Sequence, residues 1–317
     1  MNFKEQIVPI SAIDTENKTF KITTCTQVVN LVDSIQSFRL INRPILILKN
    51  NHYAVISGFR RIAACQYMGW SSIPARVLAS DTEPLSCIKI AVAENATQRP
   101  LNLIEQSRAF NLLSACVNKD NHLAEISSDL GLPGTPTLIK KIKQLALLNP
   151  FIQECVLDES VSLPVALVFA NMPSDMAIEF ARIFRQLKLS LNKQREIIVL
   201  AEEISIREEI SVVEVLRHGF LKETLEDNDL DRNKKAQKIR YYLKRRRFPE
   251  ITKTEKEFDD HVKTLKLASN IKLMPPKNFE GNVFTLSISF KNMIELSESR
   301  KGIDKIIQHP ALNNMLC

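Results

Sequence analysis

The sequence predicts an α+β protein that is mostly helical. Runs rich in β-forming residues occur within the first hundred residues, and residues 282–290 alternate apolar and polar side chains as a strand does. From Asn102 onward, by contrast, apolar residues recur at helical spacing almost throughout. With about 100–200 residues per domain, 317 residues predict two or three domains. We expect three: a small α/β domain at 1–100, an all-α domain at 101–222, and a basic linker helix with a small α/β domain at 223–317.

The first domain is predicted to contain a β-hairpin followed by a helix. Two β-rich runs in residues 44–56 flank Lys49-Asn50-Asn51, which is a good hairpin signal, and Ser57-Gly58 ends the second strand. The elements that follow are a helix at 60–68 with Gly69 as its C-cap, a strand at 73–78 and a helix at 83–93.

The second domain is predicted to be a series of helices. Asn102 followed by Glu105 matches a capping box, which starts the first helix. Gly131, Pro133 and Pro136 lie in the turn between the next two helices. The later helices are predicted at 122–130, 137–148, 151–157, 163–170, 174–187, 190–202 and 207–217.

The third region begins with an acidic linker at 224–233. Nine basic residues and no acidic ones follow between Arg232 and Arg247. A helix at 254–267, the strand at 282–290 and one or two helices from Asn292 complete the chain.

The composition excludes several common functional classes. The seven glycines form neither G-x-G-x-x-G nor G-x-x-x-x-G-K-[ST], so a Rossmann loop and a Walker loop are ruled out. The six cysteines are scattered without C-x-x-C, which argues against a zinc module and a disulfide scaffold. The absence of a signal-like start and of a long apolar run predicts a cytoplasmic protein without a membrane span. A net charge of +7 weakly favours a polyanionic partner.

The segment Ser57-Gly58-Phe59-Arg60-Arg61 is the first candidate site. A strand ends, a glycine allows a ligand to approach the backbone, and a helix starts with two arginines. Free N–H groups and the helix dipole favour an anion at such a position, and a phosphate would relieve the unfavourable placement of two cations there. Taken alone, the segment is better explained as a solvated basic turn.

The second candidate is the segment 94–101, predicted to bend between two helices. Such a bend would present Glu94, Asn95 and Arg99 together. A carboxylate and an amide oxygen can hold Mg²⁺, and an arginine binds phosphate. The alternative is an ordinary polar loop.

The third candidate is the helix pair around Gly131, whose second helix is basic. No acidic residue occurs from Leu130 through Gln153, and this pattern favours a helix-turn-helix that binds DNA over a plain αα-hairpin. The predicted DNA-contacting residues are Thr135, Thr137, Lys140, Lys141 and Lys143.

Together these motifs resemble the ParB-type partition proteins over about residues 5–215. Ile7-Val8-Pro9-Ile10 is similar to the first strand of that family, and 31–44 to its helix and following loop. The strand that leads into G-x-R-R, then Trp70-Ser71-Ser72-Ile73-Pro74, the E-N segment and Leu101 to Glu105 follow in the family order.

The resemblance implies a fold and a function. The first domain would share the fold of ParB and sulfiredoxin, and the protein would be a dimeric DNA clamp, gated by CTP with Mg²⁺, that acts in chromosome or plasmid partition. Gly58, Arg60 and Arg61 would contact the triphosphate, and Glu94 and Asn95 would face the phosphates and the metal. A nucleoid location and a helix-turn-helix that recognises a palindromic site in double-stranded DNA follow from the same resemblance.

Three departures bear on these expectations. Phe59 stands where the family has an acidic residue, and Gln98 stands at its arginine position, with Arg99 one residue late. These changes leave open whether the protein is a weak CTPase. The chain begins almost directly with the first strand, so the N-terminal peptide that contacts a ParA-type ATPase is not expected. Sulfiredoxin chemistry is not expected either, because Cys65 is far from the motif glycine and suits the core.

The basic run is a further candidate DNA contact. Without counter-charges its cations would repel one another, which favours an anionic partner over a solvated helix. The candidate residues are Lys234, Lys235, Lys238, Arg240, Lys244, Arg245, Arg246 and Arg247. The strand at 283–290 could pair across a homodimer by its exposed edge.

Two alternatives to the nucleotide-gated clamp stay open. One is a DNA-binding regulator of transcription or plasmid maintenance that has the same fold and no longer uses nucleotide. The other is an enzyme of this fold, such as a nuclease or a small-substrate kinase.

Overall fold

The structure is a computed structural model that describes residues 3–276, 279, 281 and 283–308. The chain divides into two compact units, Met1–Leu191 and Asn192–Cys317. Helices dominate both units, and each unit contains one small sheet, which confirms the predicted fold class. The finer division into three domains stays a prediction.

The first unit is built on a five-stranded mixed sheet. The strand order is β1-β5-β3-β4-β2, in which β1 is antiparallel to β5, β5 is parallel to β3, β3 is antiparallel to β4, and β4 is parallel to β2. The strands are β1 Phe3–Pro9, β2 Ile13–Asp14, β3 Ile45–Lys49, β4 His52–Ser57 and β5 Ser72–Leu78.

The predicted hairpin is present as β3 and β4. Asn50 and Asn51 form its two-residue turn with φ of 47° and 64°. Asparagine tolerates this left-handed backbone better than most residues, and such turns match the twist of paired strands.

One face of the sheet packs against α1 (Val29–Phe38) and α2 (Phe59–Tyr67). Leu46 and Ile73 from the sheet, Ile35 from α1 and Ile62 from α2 are buried in one apolar cluster. This packing fixes the start of α2, directly after β4, at the end of the sheet.

The remainder of the first unit is helical. α3 (Pro84–Ala96) is followed by α4 (Leu103–Ser114), which begins with the predicted Asn102–Glu105 capping box. The later helices are α5 Asp120–Asp129, α6 Pro136–Lys143 with a 3-10 turn at Gln144–Leu147, α7 Pro150–Leu157, α8 Leu163–Phe169 and α9 Ser174–Leu187.

The second unit contains six helices and a two-stranded sheet within the described residues. β6 (Ile271–Met274) pairs antiparallel with β7 (Thr285–Ile288). The helices are α10 Leu191–Glu208, α11 Val212–Leu216, α12 Gly219–Glu226, α13 Arg232–Arg247, α14 Pro249–Leu265 and α15 Met293–Ile307.

Four local predictions were wrong in extent. α3 runs to Ala96, so Glu94 and Asn95 lie in its last turn and not in a loop. α10 continues to Glu208, and the helix predicted at 207–217 is the shorter α11. The acidic linker is partly helical because α12 extends to Glu226. The strand predicted at 282–290 spans Thr285–Ile288, and Asn282 lies outside the described residues.

Among the residues that the structure describes, no helix has the length and apolar character needed to cross a membrane.

Candidate functional site

The start of α2 is formed by a glycine that no other residue could replace without strain. Gly58 has φ +97°, and a Cβ built on it would lie 2.8 Å from Pro44 Cβ and 2.9 Å from Pro44 Cα. Most side chains are disfavoured at this φ, and the Pro44 ring leaves no room for one. Gly58 therefore lets β4 turn directly into α2 with the N-terminal end of the helix open to solvent.

Arg60 and Arg61 both use main-chain carbonyl groups as hydrogen-bond acceptors. Arg60 donates from Nε and Nη2 to the Gln27 carbonyl, at 3.0 and 2.7 Å. Arg61 Nη1 donates to the carbonyls of Asn42 and Arg43, at 2.9 and 3.1 Å. Because a carbonyl carries no net charge, these bonds orient the guanidinium groups without cancelling their positive charge.

A cavity of about 440 Å³ opens beside this helix start. Gly58, Arg60, Arg61, Asn95 and Arg99 line it, so five of the six predicted ligand-binding residues surround one space. Polar residues that the sequence analysis missed also line the cavity: Thr23, Ser34, Arg39, Asn42 and Gln98.

Glu94 is the sixth predicted residue and reaches the site through an ion pair. Its Oε2 lies 3.4 Å from Arg61 Nη2, and its side chain is partly exposed. Asn95 Nδ2 donates to the Ala91 carbonyl of the preceding turn at 2.7 Å, which leaves its amide oxygen as an acceptor. No cluster of three or more His, Cys, Asp or Glu side chains that could hold a metal ion occurs within the described part of the chain.

Arg99 is bound to a buried carboxylate. Its Nη2 lies 2.6 Å from Glu105 Oε1 and its Nη1 lies 2.7 Å from Glu105 Oε2, a bidentate pair. Burial opposes ionisation of Glu105, but hydrogen bonds from Arg99, Thr24 and Asn102 outweigh it and hold the pKa of this carboxyl below its ordinary value. The carboxylate therefore neutralises the cation that the sequence analysis assigned to phosphate.

Cys65 is buried in the sheet core and does not reach the cavity. It has no exposed surface, and burial raises the pKa of its thiol to about 11. A thiol with this pKa stays protonated at neutral pH, so it packs as an apolar group.

α5 and α6 are joined by a turn that is packed against α5. A Cβ built on Gly134 would lie 1.9 Å from Ser128 Oγ, and Leu132 N donates to the Ser127 carbonyl at 2.9 Å. Ile139 and Ile142 are buried, which leaves the opposite face of α6 outward. Thr135, Thr137, Lys140 and Lys141 are exposed on this side, and Lys143 is partly exposed.

Four cations of α13 are paired with carboxylates of α10 and α14, so the premise that the basic run lacks counter-charges was wrong. The pairs are Arg240–Glu196, Lys244–Glu255, Arg246–Glu208 and Arg247–Glu203. The sequence signal was the matched spacing: Glu196 and Glu203 lie seven residues apart on α10, as Arg240 and Arg247 do on α13.

The other predicted DNA contacts of α13 are arranged differently. Lys235 Nζ donates to the Leu225 carbonyl, and Lys234 lies 3.5 Å from Asp231 at the helix start. Four exposed residues share one face of the helix at positions i, i+4, i+7 and i+11: Lys234, Lys238, Tyr241 and Arg245.

Comparison with known proteins gives one family match. Residues 3–96 match the model of the ParB N-terminal domain. The chain is 32% identical over 121 residues to a probable chromosome-partitioning protein ParB of Rickettsia bellii, covering 38% of this chain and 39% of that protein. It is 24% identical over 137 residues to a nucleoid occlusion protein of Halalkalibacterium halodurans, covering 43% and 46%. The chain thus spans less than half the length of these curated relatives.

Two solved structures of Caulobacter crescentus ParB, both C-terminally truncated, are more distantly similar. The one complexed to the centromeric parS site has 15% identity and a TM-score of 0.34, covering 60% of this chain and 96% of that one. The one complexed with CTP-γ-S has 16% identity and a TM-score of 0.27, covering 57% and 98%. The match over residues 3–96 confirms the resemblance to the ParB-type partition proteins.

Proposed function

We propose that the protein is a ParB-like partition protein that binds double-stranded DNA and is gated by CTP with Mg²⁺. The observation that carries the proposal is the cavity at the start of α2, in which Gly58, Arg60 and Arg61 converge within a ParB N-terminal domain. The nucleoid would be the cellular location of such a protein.

The triphosphate would lie at the N-terminal end of α2. The helix dipole and the N–H groups of the first turn favour an anion at this end. Arg60 adds positive charge that its carbonyl partner does not cancel, and Arg61 adds a second cation that it shares with Glu94 at 3.4 Å. A polyphosphate would thus meet two oriented cations and a helix terminus.

Glu94 and Asn95 would hold the Mg²⁺ that accompanies the phosphates. Magnesium is commonly bound by one or two protein oxygens together with substrate phosphates and water. A carboxylate from Glu94 and the amide oxygen of Asn95, adjacent in the last turn of α3, supply this type of donor. Hydrolysis is a separate question, because Gln98 replaces the arginine of the family motif.

Calorimetric titration with CTP and Mg²⁺ tests the pocket. We expect Arg61→Ala to weaken binding by about tenfold to a hundredfold, which is the loss of charge-assisted hydrogen bonds. Arg240→Gln is the matched control, because it removes an arginine that is paired with Glu196 in the second unit. Equal CTP affinities for the wild type and Arg61→Ala would contradict the assignment.

The α5–α6 pair is the proposed site of sequence-specific DNA binding. Its exposed Lys140 and Lys141 follow two exposed threonines. The major groove is wide enough to admit an α-helix such as α6. Charge reversal of both lysines should abolish binding to DNA fragments recovered with the wild type, while CTP binding stays intact. Unchanged recovery of these fragments would contradict the proposal.

The proposed assembly is a homodimer. A ParA-type ATPase is a further candidate partner. Within the described residues β7 pairs with β6 alone, so its other edge is a candidate for pairing with a second copy. Light scattering of the full chain tests the dimer, and stimulation of a ParA-type ATPase tests the partner.

A DNA-binding regulator that no longer uses nucleotide is the second candidate function. Phe59, Gln98 and the neutralised Arg99 favour it, since each removes a feature of the family pocket. This candidate predicts no heat on titration with CTP and Mg²⁺ and retained DNA binding. CTP-dependent heat would exclude it.

A further inference from the structure

One wall of the cavity is a segment that has no regular secondary structure. Residues 22–27, here named the strap, run between Lys21 and α1 without helix or strand hydrogen bonds. Ile22 and Thr23 of the strap line the cavity. Its shape must therefore be fixed by side chains of other elements.

Side chains from α2 and α4 hold the strap at both ends and at its centre. Arg108 Nη1 donates to the carbonyls of Ile22 and Thr23, at 3.2 and 3.0 Å. Arg60 donates to the carbonyl of Gln27. At the centre, Glu105 Oε1 accepts from Thr24 N at 2.9 Å and from Thr24 Oγ1 at 3.2 Å.

Glu105 can hold the strap only while Arg99 neutralises it. The Glu105 side chain has no exposed surface, whereas that of Arg99 is half exposed. A buried carboxylate without its cation is strongly unfavourable. If Arg99 turned toward a phosphate, Glu105 would lose its bidentate partner and keep only the hydrogen bonds from Thr24 and Asn102 and the more distant Arg108. The pair therefore favours an Arg99 that stays in place when nucleotide binds.

We propose that Arg99 and Glu105 are a positioning pair that fixes the strap as a wall of the cavity, and that Arg99 is not a phosphate ligand. The inference deepens the proposed function and rests on it for the nucleotide. It also explains why the arginine of the family motif stands one residue later in this chain. At position 99, six residues before Glu105, the arginine contacts that carboxylate with both terminal nitrogens.

Titration of CTP, CDP and CMP into Arg99→Gln, Glu105→Gln and the double variant separates the two roles. A positioning pair predicts that each single variant weakens all three nucleotides by one factor, about tenfold. It also predicts that the double variant is no worse than either single one. A loss in Arg99→Gln that grows with the number of phosphates would overturn the inference.

Arg182→Gln is the matched control, because it breaks a pair between an arginine and the mostly buried Glu179 on α9. This variant should leave the three affinities unchanged. Equal losses in the control would mean that any broken ion pair loosens the protein, which would overturn the specific role of Arg99 and Glu105.

Amide hydrogen exchange of the nucleotide-free protein provides a measurement that does not depend on CTP. The Thr24 amide donates to Glu105, so its exchange should accelerate by about tenfold or more in Arg99→Gln and Glu105→Gln and not in Arg182→Gln. Unchanged exchange at Thr24 would overturn the inference. If the wild type binds no CTP, the proposed function fails, and the exchange result alone decides whether the pair fixes the strap.

Discussion

The start of α2 and the helix α13 are both rich in arginine, and their arginines have different partners. Arg60 donates to a backbone carbonyl, and Arg61 donates to two others at 2.9 and 3.1 Å, closer than its 3.4 Å contact with Glu94. On α13, Arg240, Arg246 and Arg247 instead face carboxylates. A carbonyl orients a guanidinium and leaves its charge available to an anion, whereas a carboxylate neutralises it. The partner of an arginine, more than the number of arginines, therefore indicates where an anion can bind.

The largest expected effect comes from Gly58→Ala, which would deform the start of α2. The positive φ and the contact with Pro44 should together cost about 3–4 kcal/mol of folding free energy. Trp70 is the single tryptophan of the chain and lies against the sheet core, so its fluorescence during urea unfolding reports on the first unit.

Gly69→Ala is the control for this substitution. Gly69 also has a positive φ, of 73°, but no atom lies within 4 Å of a Cβ built there. Gly69→Ala should therefore cost only the strain of an alanine at positive φ, about 1 kcal/mol of folding free energy. Equal losses at the two glycines would show that the contact with Pro44 has no energetic effect.

The next effect is a pH-dependent loss of stability in Glu105→Gln, expected to be about 2 kcal/mol at pH 7. The pKa of Glu105 is held below its ordinary value. Its ionised form therefore stabilises the fold fully above the pKa of an unfolded glutamate, about 4.3, and this contribution is lost as the pH falls through the lower folded pKa.

The measurement is Trp70-monitored unfolding at pH 7 and pH 3. The difference between the wild type and Glu105→Gln should shrink at pH 3, because below about pH 4.3 protonation of this carboxyl in the unfolded chain progressively offsets the stabilisation. Glu83→Gln, at an exposed position, should show no difference at either pH. A constant difference across this range would mean that Glu105 contributes by shape and not by charge.

A smaller effect is expected on α13. Arg246→Gln breaks a mostly buried bidentate contact with Glu208 and should cost about 1 kcal/mol, whereas Lys238→Gln on the exposed face should cost almost nothing. Urea unfolding followed by circular dichroism measures both. If Lys238→Gln were the more destabilising variant, the distinction between paired and exposed cations on α13 would fail.

The smallest effect is a gain. Glu196→Gln, Glu203→Gln and Glu208→Gln together should free Arg240, Arg247 and Arg246 for phosphate contacts. The slope of log binding constant against log salt concentration, measured for non-specific DNA, should become steeper by up to about 3. The affinity near physiological salt should rise only modestly. Glu223→Gln with Glu226→Gln removes exposed carboxylates as a control, and an equal change there would contradict the partner argument.

Short-range patterns predicted the fold well. The Asn50-Asn51 turn and the Asn102–Glu105 capping box each depend on residues within one turn, and both are present. β6 was missed because its four residues are defined by pairing with β7 and not by their own pattern. The position of α2 depends on the sheet. Its start was nevertheless predictable, because Gly58 stands in the sequence at the junction of β4 and α2, where only glycine fits.

The candidate site was predictable in part of its members but not in their partners. Gly58, Arg60, Arg61, Asn95 and Arg99 lie in motifs and could be named from the sequence, whereas other lining residues such as Thr23 and Ser34 lie in none. The Arg99–Glu105 pair could not, because Glu105 already had a role as the capping residue of α4 and its carboxylate serves both purposes. The partners of α13 lie 38 to 44 residues earlier in the chain, or on the next helix, and only matched spacing hinted at them.

The pairing of β1 with β5 has a consequence for the order in which the protein folds. Phe3 lies opposite Leu78, so β1 must wait for about 70 further residues to be made before it can pair with β5. The strap waits longer, since Thr24 is fixed by Glu105. Because closing such long loops is slow compared with forming helical turns, the cavity should form later during synthesis than the hairpin and the helices of residues 3–105.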